Sequence, residues 1–178
     1  MTIETLRETL PAYARDLSLN LSSLAAETIL SDQQKWGCFV ASAHAVGVPA
    51  MVKAAEASAE AAGLSEVAKT AAKTAAAIMG MNNVYYRALH LMQNGEYRTL
   101  PARLRMNVLT NPGVDKADFE LWSLAVSAIN GCGACLDSHE AELKTRGMTA
   151  PAIQAALRIA SVVNAVSRVA AGEAAAAA

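Results

Sequence analysis

Two cysteines three residues apart, Cys132 and Cys135, are followed four residues later by His139 in Asn130-Gly131-Cys132-Gly133-Ala134-Cys135-Leu136-Asp137-Ser138-His139. This stretch holds the only closely spaced pair among the three cysteines, and one of the three histidines. A Cys-x-x-Cys at a helix start is a dithiol/disulfide couple, because one turn brings the two sulfurs within bonding reach. At spacing i, i+3 and i+7, Cys132, Cys135 and His139 share one helix face, and His139 can take or hold the Cys135 proton. Unpaired amide N–H groups at the helix start favour thiolate over thiol, most strongly at Cys132. A thiolate beside a second thiol can attack an O–O or S–S bond and then be resolved by its neighbour into an intramolecular disulfide.

Competing readings of the same residues are half a zinc site, with His139 as third ligand and Glu120 or Asp137 as fourth, or two cysteines packed as small apolar residues. A second Cys-x-x-Cys, which a structural zinc site would want, is missing. Glu120 lies in an apolar run, where it either orients His139 across a helix pair or faces solvent. Cys38 reads as a core residue, and His44 and His90, without spaced partners, as packing or surface. Trp36, Trp122 and the methionines near position 80 fit a core at helical spacing.

The elements that must position these residues are helices. Apolar residues make up 53 % of the 178-residue chain but aromatics only 4 %, which suits close-packed alanine-rich helices. No useful stretch alternates with period 2, so the fold expected is all-α, a compact domain with the Cys-x-x-Cys at a helix N-terminus. The pattern predicts helices over residues 3–10, 11–17, 31–46, 49–62 and 66–90. A break is expected at Asn20-Leu-Ser-Ser, and an interruption of the fifth helix at Met79 to Asn83. Further helices are expected over 97–110, 114–129, 132–146 and from 151 toward 171, before a fraying alanine tail, Ala174 to Ala178. Weak self-similarity, roughly between 31–90 and 117–172, suggests two similar helical halves of a single domain.

A net charge of −1 gives no footprint for nucleic acid or an anionic membrane. The longest uncharged run, Trp36 to Val52, contains Gly37, His44, Gly47 and Pro49 and reads as a core helix plus its turn, not the about 20 strongly apolar residues that a bilayer span needs. With no apolar leader at the N-terminus, the expectation is a cytoplasmic protein. A lone Cys-x-x-Cys there is more often catalytic or metal-binding than a structural staple.

The run Phe119-Glu-Leu-Trp-Ser-Leu-Ala-Val-Ser-Ala-Ile-Asn-Gly-Cys-Gly-Ala-Cys-Leu-Asp-Ser-His-Glu140 resembles the alkyl hydroperoxide reductase D (AhpD) family of the carboxymuconolactone decarboxylase-like superfamily. Leu10-Pro-Ala-Tyr-Ala-Arg-Asp-Leu-Ser-Leu-Asn-Leu21, Ala76-Ala-Ile-Met-Gly-Met-Asn-Asn-Val-Tyr-Tyr-Arg87, Leu104-Arg-Met-Asn107 and Asn111-Pro-Gly113 are similar to that family as well, so the likeness covers nearly the whole chain. The resemblance implies an all-helical subunit of two similar halves, assembled as a homotrimer, that acts as a lipoyl-dependent peroxidase. It implies no tightly bound cofactor, with dihydrolipoamide as the external reductant. That group is carried by a lipoylated dihydrolipoamide acyltransferase and recharged by dihydrolipoamide dehydrogenase with NADH. A peroxiredoxin, AhpC, is implied as electron acceptor through an interchain disulfide. Carried over residue by residue, Cys135 is the peroxide-attacking thiol and the site of the partner disulfide. Cys132 is the proton donor and resolving thiol, and His139 and Glu120 form the proton relay. Some members have a further histidine immediately before the second cysteine; here Ala134 stands there, leaving His139 the larger share of the relay. A redox adaptor that passes electrons from dihydrolipoamide to a peroxiredoxin without reducing peroxide itself needs the same pair. A non-redox helical module with structural thiols or zinc does not.

Overall fold

The computed structural model describes residues 1–177. Among them there are no strands. The helices are α1 (Ile3–Glu8), α2 (Arg15–Ala25), α3 (Asp32–Val46), α4 (Pro49–Ala61), α5 (Glu66–Leu91), α6 (Glu96–Thr99), α7 (Lys116–Ile129), α8 (Gly133–Thr145) and α9 (Ala150–Ala176). Short 3-10 turns lie at Ala12–Ala14 and Asn107–Leu109.

The centre of the fold is α3, which packs on α4, α5, α7 and α9. Its start is set by a reciprocal cap: the Ser31 hydroxyl accepts from the Gln34 amide, and the Gln34 side chain accepts from the Ser31 amide. Every residue from Gly37 to Ala43 is buried. That strip is Gly-Cys-Phe-Val-Ala-Ser-Ala, and its small members let neighbouring helices come close enough to exclude water. Facing strips are similarly small: Ala68, Ala71, Ala72, Ala75 and Ala76 on α5, and Ala152, Ala155, Ala156 and Ala160 on α9. The larger buried side chains, Phe39, Met51, Met79, Phe119, Leu121 and Trp122, fill what the alanines leave.

Four expectations need correction, each where tertiary burial or proline overrides local propensity. The break at Asn20-Leu-Ser-Ser does not occur: α2 runs through it, because Leu21 and Leu24 are buried on one face and the Ser23 hydroxyl bonds back to the Leu19 carbonyl. Helix Pro11 to Leu17 is instead a 3-10 turn leading into α2 from Arg15. The interruption at Met79 to Asn83 is also absent. There the asparagines serve tertiary hydrogen bonds: Asn83 Nδ2 donates to Ser127 Oγ at 2.9 Å, and Asn130 Nδ2 donates to Asn83 Oδ1 at 3.0 Å. Finally, helix 97–110 shrinks to α6, since Leu100 is extended ahead of Pro101 and Arg103 has positive φ (51°). The last helix outruns its expected end and reaches Ala176, as alanine's high helix propensity allows; Ala178 of the expected fraying tail lies outside the described residues. No helix among the described residues is long and apolar enough to cross a membrane.

Candidate functional site

The Asn-Gly turn between α7 and α8 places the dithiol. Gly131 has φ 66°, its N–H donates to the Ala128 carbonyl (3.2 Å), and the Cys132 N–H donates to the Ser127 carbonyl (3.1 Å). This pair of bonds is a Schellman closure, which needs a left-handed residue where Gly131 stands. Arg87 fastens the turn from outside by donating to the Asn130 carbonyl. The expected helix start is thereby shifted by one residue: Cys132 is the extended N-cap, and α8 begins at Gly133.

Cys132 and Cys135 are joined as a disulfide, their Cα atoms 5.3 Å apart. Their environments differ. Cys132 is fully buried, whereas Cys135 is 7 % exposed and lines a cavity of about 280 Å³. One wall of that cavity comes from Ala134, Cys135, Ser138 and His139 of α8; the other comes from Met79, Asn82 and Tyr86 of α5 with Met106 and Leu109. A largely apolar chamber with few polar groups is the kind of site that takes a small organic molecule.

Glu120 and His139, nineteen residues apart, meet here: His139 Nδ1 is 2.6 Å from Glu120 Oε2. Of the two alternatives for Glu120, orienting the histidine is the one found, and the residue is buried at 8 % exposure. Its other carboxylate oxygen receives Lys116 Nζ at 3.0 Å, one turn earlier on α7. Lys116 also donates to the Leu109 carbonyl, tying the ion pair to the cavity wall. Burial pushes the Glu120 carboxyl up, but hydrogen bonds from His139 and Lys116 outweigh it, and the group ends below its usual range. On the other side of the ring, His139 Nε2 faces Met79 Sδ at 3.3 Å.

The sign of the Glu120 shift sets a pH dependence. A carboxyl whose folded pKa is depressed adds stability that is present above the unfolded value, near 4, and is lost as pH falls through the folded one. Chemical denaturation of wild type and Glu120→Gln across pH 6 to 2 should therefore show a smaller acid-side loss in the variant. Equal slopes would remove the ion pair from the account.

The remaining candidates lie elsewhere. Cys38 is the core residue expected, and burial raises its thiol pKa so that it stays protonated and inert. His90 is exposed. His44 has a partner that the sequence pattern did not reveal: Nε2 is 2.6 Å from Glu56 Oε1, which also receives Lys73 Nζ at 3.1 Å. Lys116, Met79 and Met106 were not singled out as site residues from the sequence. Lys116 was findable from its i, i+4 spacing to Glu120; the methionines gave no signal distinct from core. Among the described residues no three His, Cys, Asp or Glu side chains converge as a metal site requires.

The carboxymuconolactone decarboxylase family matches residues 95–178, which include the dithiol, Glu120 and His139. Three relatives named "Alkyl hydroperoxide reductase AhpD" are similar over nearly the full length. The protein of Maricaulis maris is 66 % identical, covering 97 % of this chain and 99 % of the relative. That of Hyphomonas neptunium is 65 % identical, covering 100 % and 98 %. The Caulobacter vibrioides protein is 55 % identical, covering 98 % and 96 %. At such identity and coverage, the chain belongs to the alkyl hydroperoxide reductase AhpD family within the carboxymuconolactone decarboxylase-like superfamily.

Proposed function

We propose that this protein is a thiol peroxidase that reduces organic hydroperoxides through a Cys132/Cys135 dithiol–disulfide cycle. In the cycle the Cys135 thiolate attacks the terminal oxygen of RO–OH and becomes sulfenic acid, and RO⁻ leaves as the alcohol after taking a proton. The Cys132 thiol then attacks the sulfenic sulfur, releasing water and forming the disulfide. His139, held by Glu120, carries protons to and from the Cys135 sulfur. The observation that carries this reading is the asymmetry of the pair: Cys135 and His139 share the cavity, and Cys132 is sealed beneath it.

Dihydrolipoamide is the reductant we assign to the disulfide, delivered on a lipoylated dihydrolipoamide acyltransferase and recharged by dihydrolipoamide dehydrogenase with NADH. AhpC is the acceptor assigned to the same dithiol, through an interchain disulfide at Cys135. A single AhpD-like domain, assembled as a homotrimer in the cytoplasm, completes the proposal. Family membership supports these assignments.

The test is consumption of an organic hydroperoxide by the purified protein, with and without dihydrolipoamide and in the absence of AhpC. Catalytic turnover only with dihydrolipoamide is the expected result. Reduction of the disulfide by dihydrolipoamide while the hydroperoxide persists would replace the peroxidase with an electron relay to a peroxiredoxin.

A further inference from the structure

The imidazole of His139 lies between two acceptors. Nδ1 faces the Glu120 carboxylate at 2.6 Å and Nε2 faces the Met79 thioether at 3.3 Å. A thioether sulfur can only accept. Neutral imidazole has one N–H, so it could satisfy Glu120 or Met79 but not both. The two contacts together require one more proton than neutral imidazole plus carboxylate contain. Met79 is itself held. It is 1 % exposed, its sulfur lies 3.9 Å from Asn83 Nδ2, and Asn83 is locked to Ser127 and to Asn130 of the dithiol turn. The sulfur is thus fixed where the ring needs an acceptor.

We propose that Met79 is a positioning residue for the relay: in the disulfide state its sulfur holds the Nε2 proton of His139, and on reduction that proton passes to Cys135. The proposal rests on the reading of His139 as the proton carrier. Cys135 sits one turn before His139 on the same face of α8 and opens on the same cavity, so the ring need only exchange one sulfur for another.

The reductive step balances as follows. A thiolate of the dithiol reductant attacks Cys135 Sγ, the reachable sulfur; the Cys132–Cys135 bond breaks, and Cys132 leaves as thiolate. The second reductant sulfur attacks its own partner's sulfur in the mixed disulfide, and Cys135 leaves as thiolate. Two electrons pass from the reductant, which becomes a cyclic disulfide, to the cysteine pair. One of the reductant's two thiol protons goes to Cys132 and the other to solvent; Cys135 takes the Nε2 proton, so the ring is left without it in the reduced form.

Nuclear magnetic resonance of the ¹⁵N-histidine-labelled protein tests this without any substitution. In the disulfide form Nε2 should carry a proton with a cross-peak to the Met79 methyl, and reduction with dihydrolipoamide should remove that cross-peak. Its persistence unchanged in both redox states would overturn the proposal. The kinetic arm uses Met79→Leu, which keeps the bulk and loses the acceptor. Release of Cys135 from the mixed disulfide should slow about tenfold at neutral pH and recover in Met79→Gln. A loss not rescued by glutamine would mean packing alone and would overturn it. His139→Gln separates this proposal from the reading beneath it. If that variant turns over like wild type, the relay itself fails; if it is impaired while Met79→Leu is not, only the role of Met79 fails.

Discussion

Cys135→Ser is expected to lower hydroperoxide turnover at least about a thousandfold, because a serine hydroxyl, even beside His139, is a far weaker nucleophile than a thiolate and can form neither a sulfenic acid nor a disulfide. Cys132→Ser should also fail to turn over with dihydrolipoamide at the wild-type rate, but for a different reason, and the two are separable by stoichiometry. With Cys132 gone, Cys135 still meets the hydroperoxide in the cavity. One equivalent of peroxide is then consumed, and a sulfenic acid persists that a carbon-acid trapping reagent labels at Cys135. With Cys135 gone, the remaining Cys132 is fully buried and no part of the cavity wall, so neither peroxide consumption nor labelling should follow.

That outcome would settle a conflict between two physical terms. Helix-terminus electrostatics favour the thiolate at Cys132, the N-cap of α8. Access and the proton carrier favour Cys135, which is one turn from His139 and open to the cavity. A dipole contributes up to about 2 kcal/mol at a buried helix terminus, whereas a sulfur that the substrate cannot touch does not react at any pKa. Labelling of Cys132 in Cys135→Ser, with Cys132→Ser inert, would reverse the assignment.

The dithiol, the histidine one turn on and the turn that starts their helix were legible from the sequence because all are local: Asn-Gly, Cys-x-x-Cys and an i, i+4 step are fixed by nearest-neighbour geometry. From its own surroundings Glu120 was legible only as an alternative, since whether it meets His139 depends on how α7 and α8 pack; its place in a relay came from the family resemblance. Met79 was read as core, and it is buried. What sequence could not convey is that its sulfur faces a histidine 60 residues away. The errors in the fold have the same origin. Asn82-Asn83 and Asn20-Leu-Ser-Ser carry turn propensity, and both are overridden by contacts made far along the chain, Asn83 by Ser127 and Asn130, and Leu21 and Leu24 by the core. Where a local rule had no competitor, as at Pro101, the chain obeyed the local rule and the expected helix was lost.

The second large effect is structural and concerns Gly37, which the sequence offered only as one glycine of the uncharged run Trp36 to Val52. A Cβ at position 37 would stand 2.1 Å from Trp122 Cε2 and 2.3 Å from both Cζ2 and Nε1. The ring cannot step aside: Trp122 is fully buried, and its Nε1–H donates to the Gln34 carbonyl at 3.1 Å. Gly37 is therefore where the Trp122 ring of α7 lies against the backbone of α3, and α7 carries Glu120 two residues before that tryptophan. Gly37→Ala should cost about 3 kcal/mol, through overpacking and loss of the indole hydrogen bond, and lower the thermal midpoint by about 6–12 °C for a chain of this size. Because α7 must shift to admit the methyl, the variant should also loosen the Glu120–His139 pair, so that residual turnover at a temperature where the protein is still folded falls as well. Gly133→Ala is the control: nothing lies within 4 Å of a Cβ at position 133. If Gly37→Ala melted with wild type while Gly133→Ala did not, the close approach of α3 and α7 would have to be abandoned, and with it the account of how the helix bearing Glu120 is held in register with the dithiol.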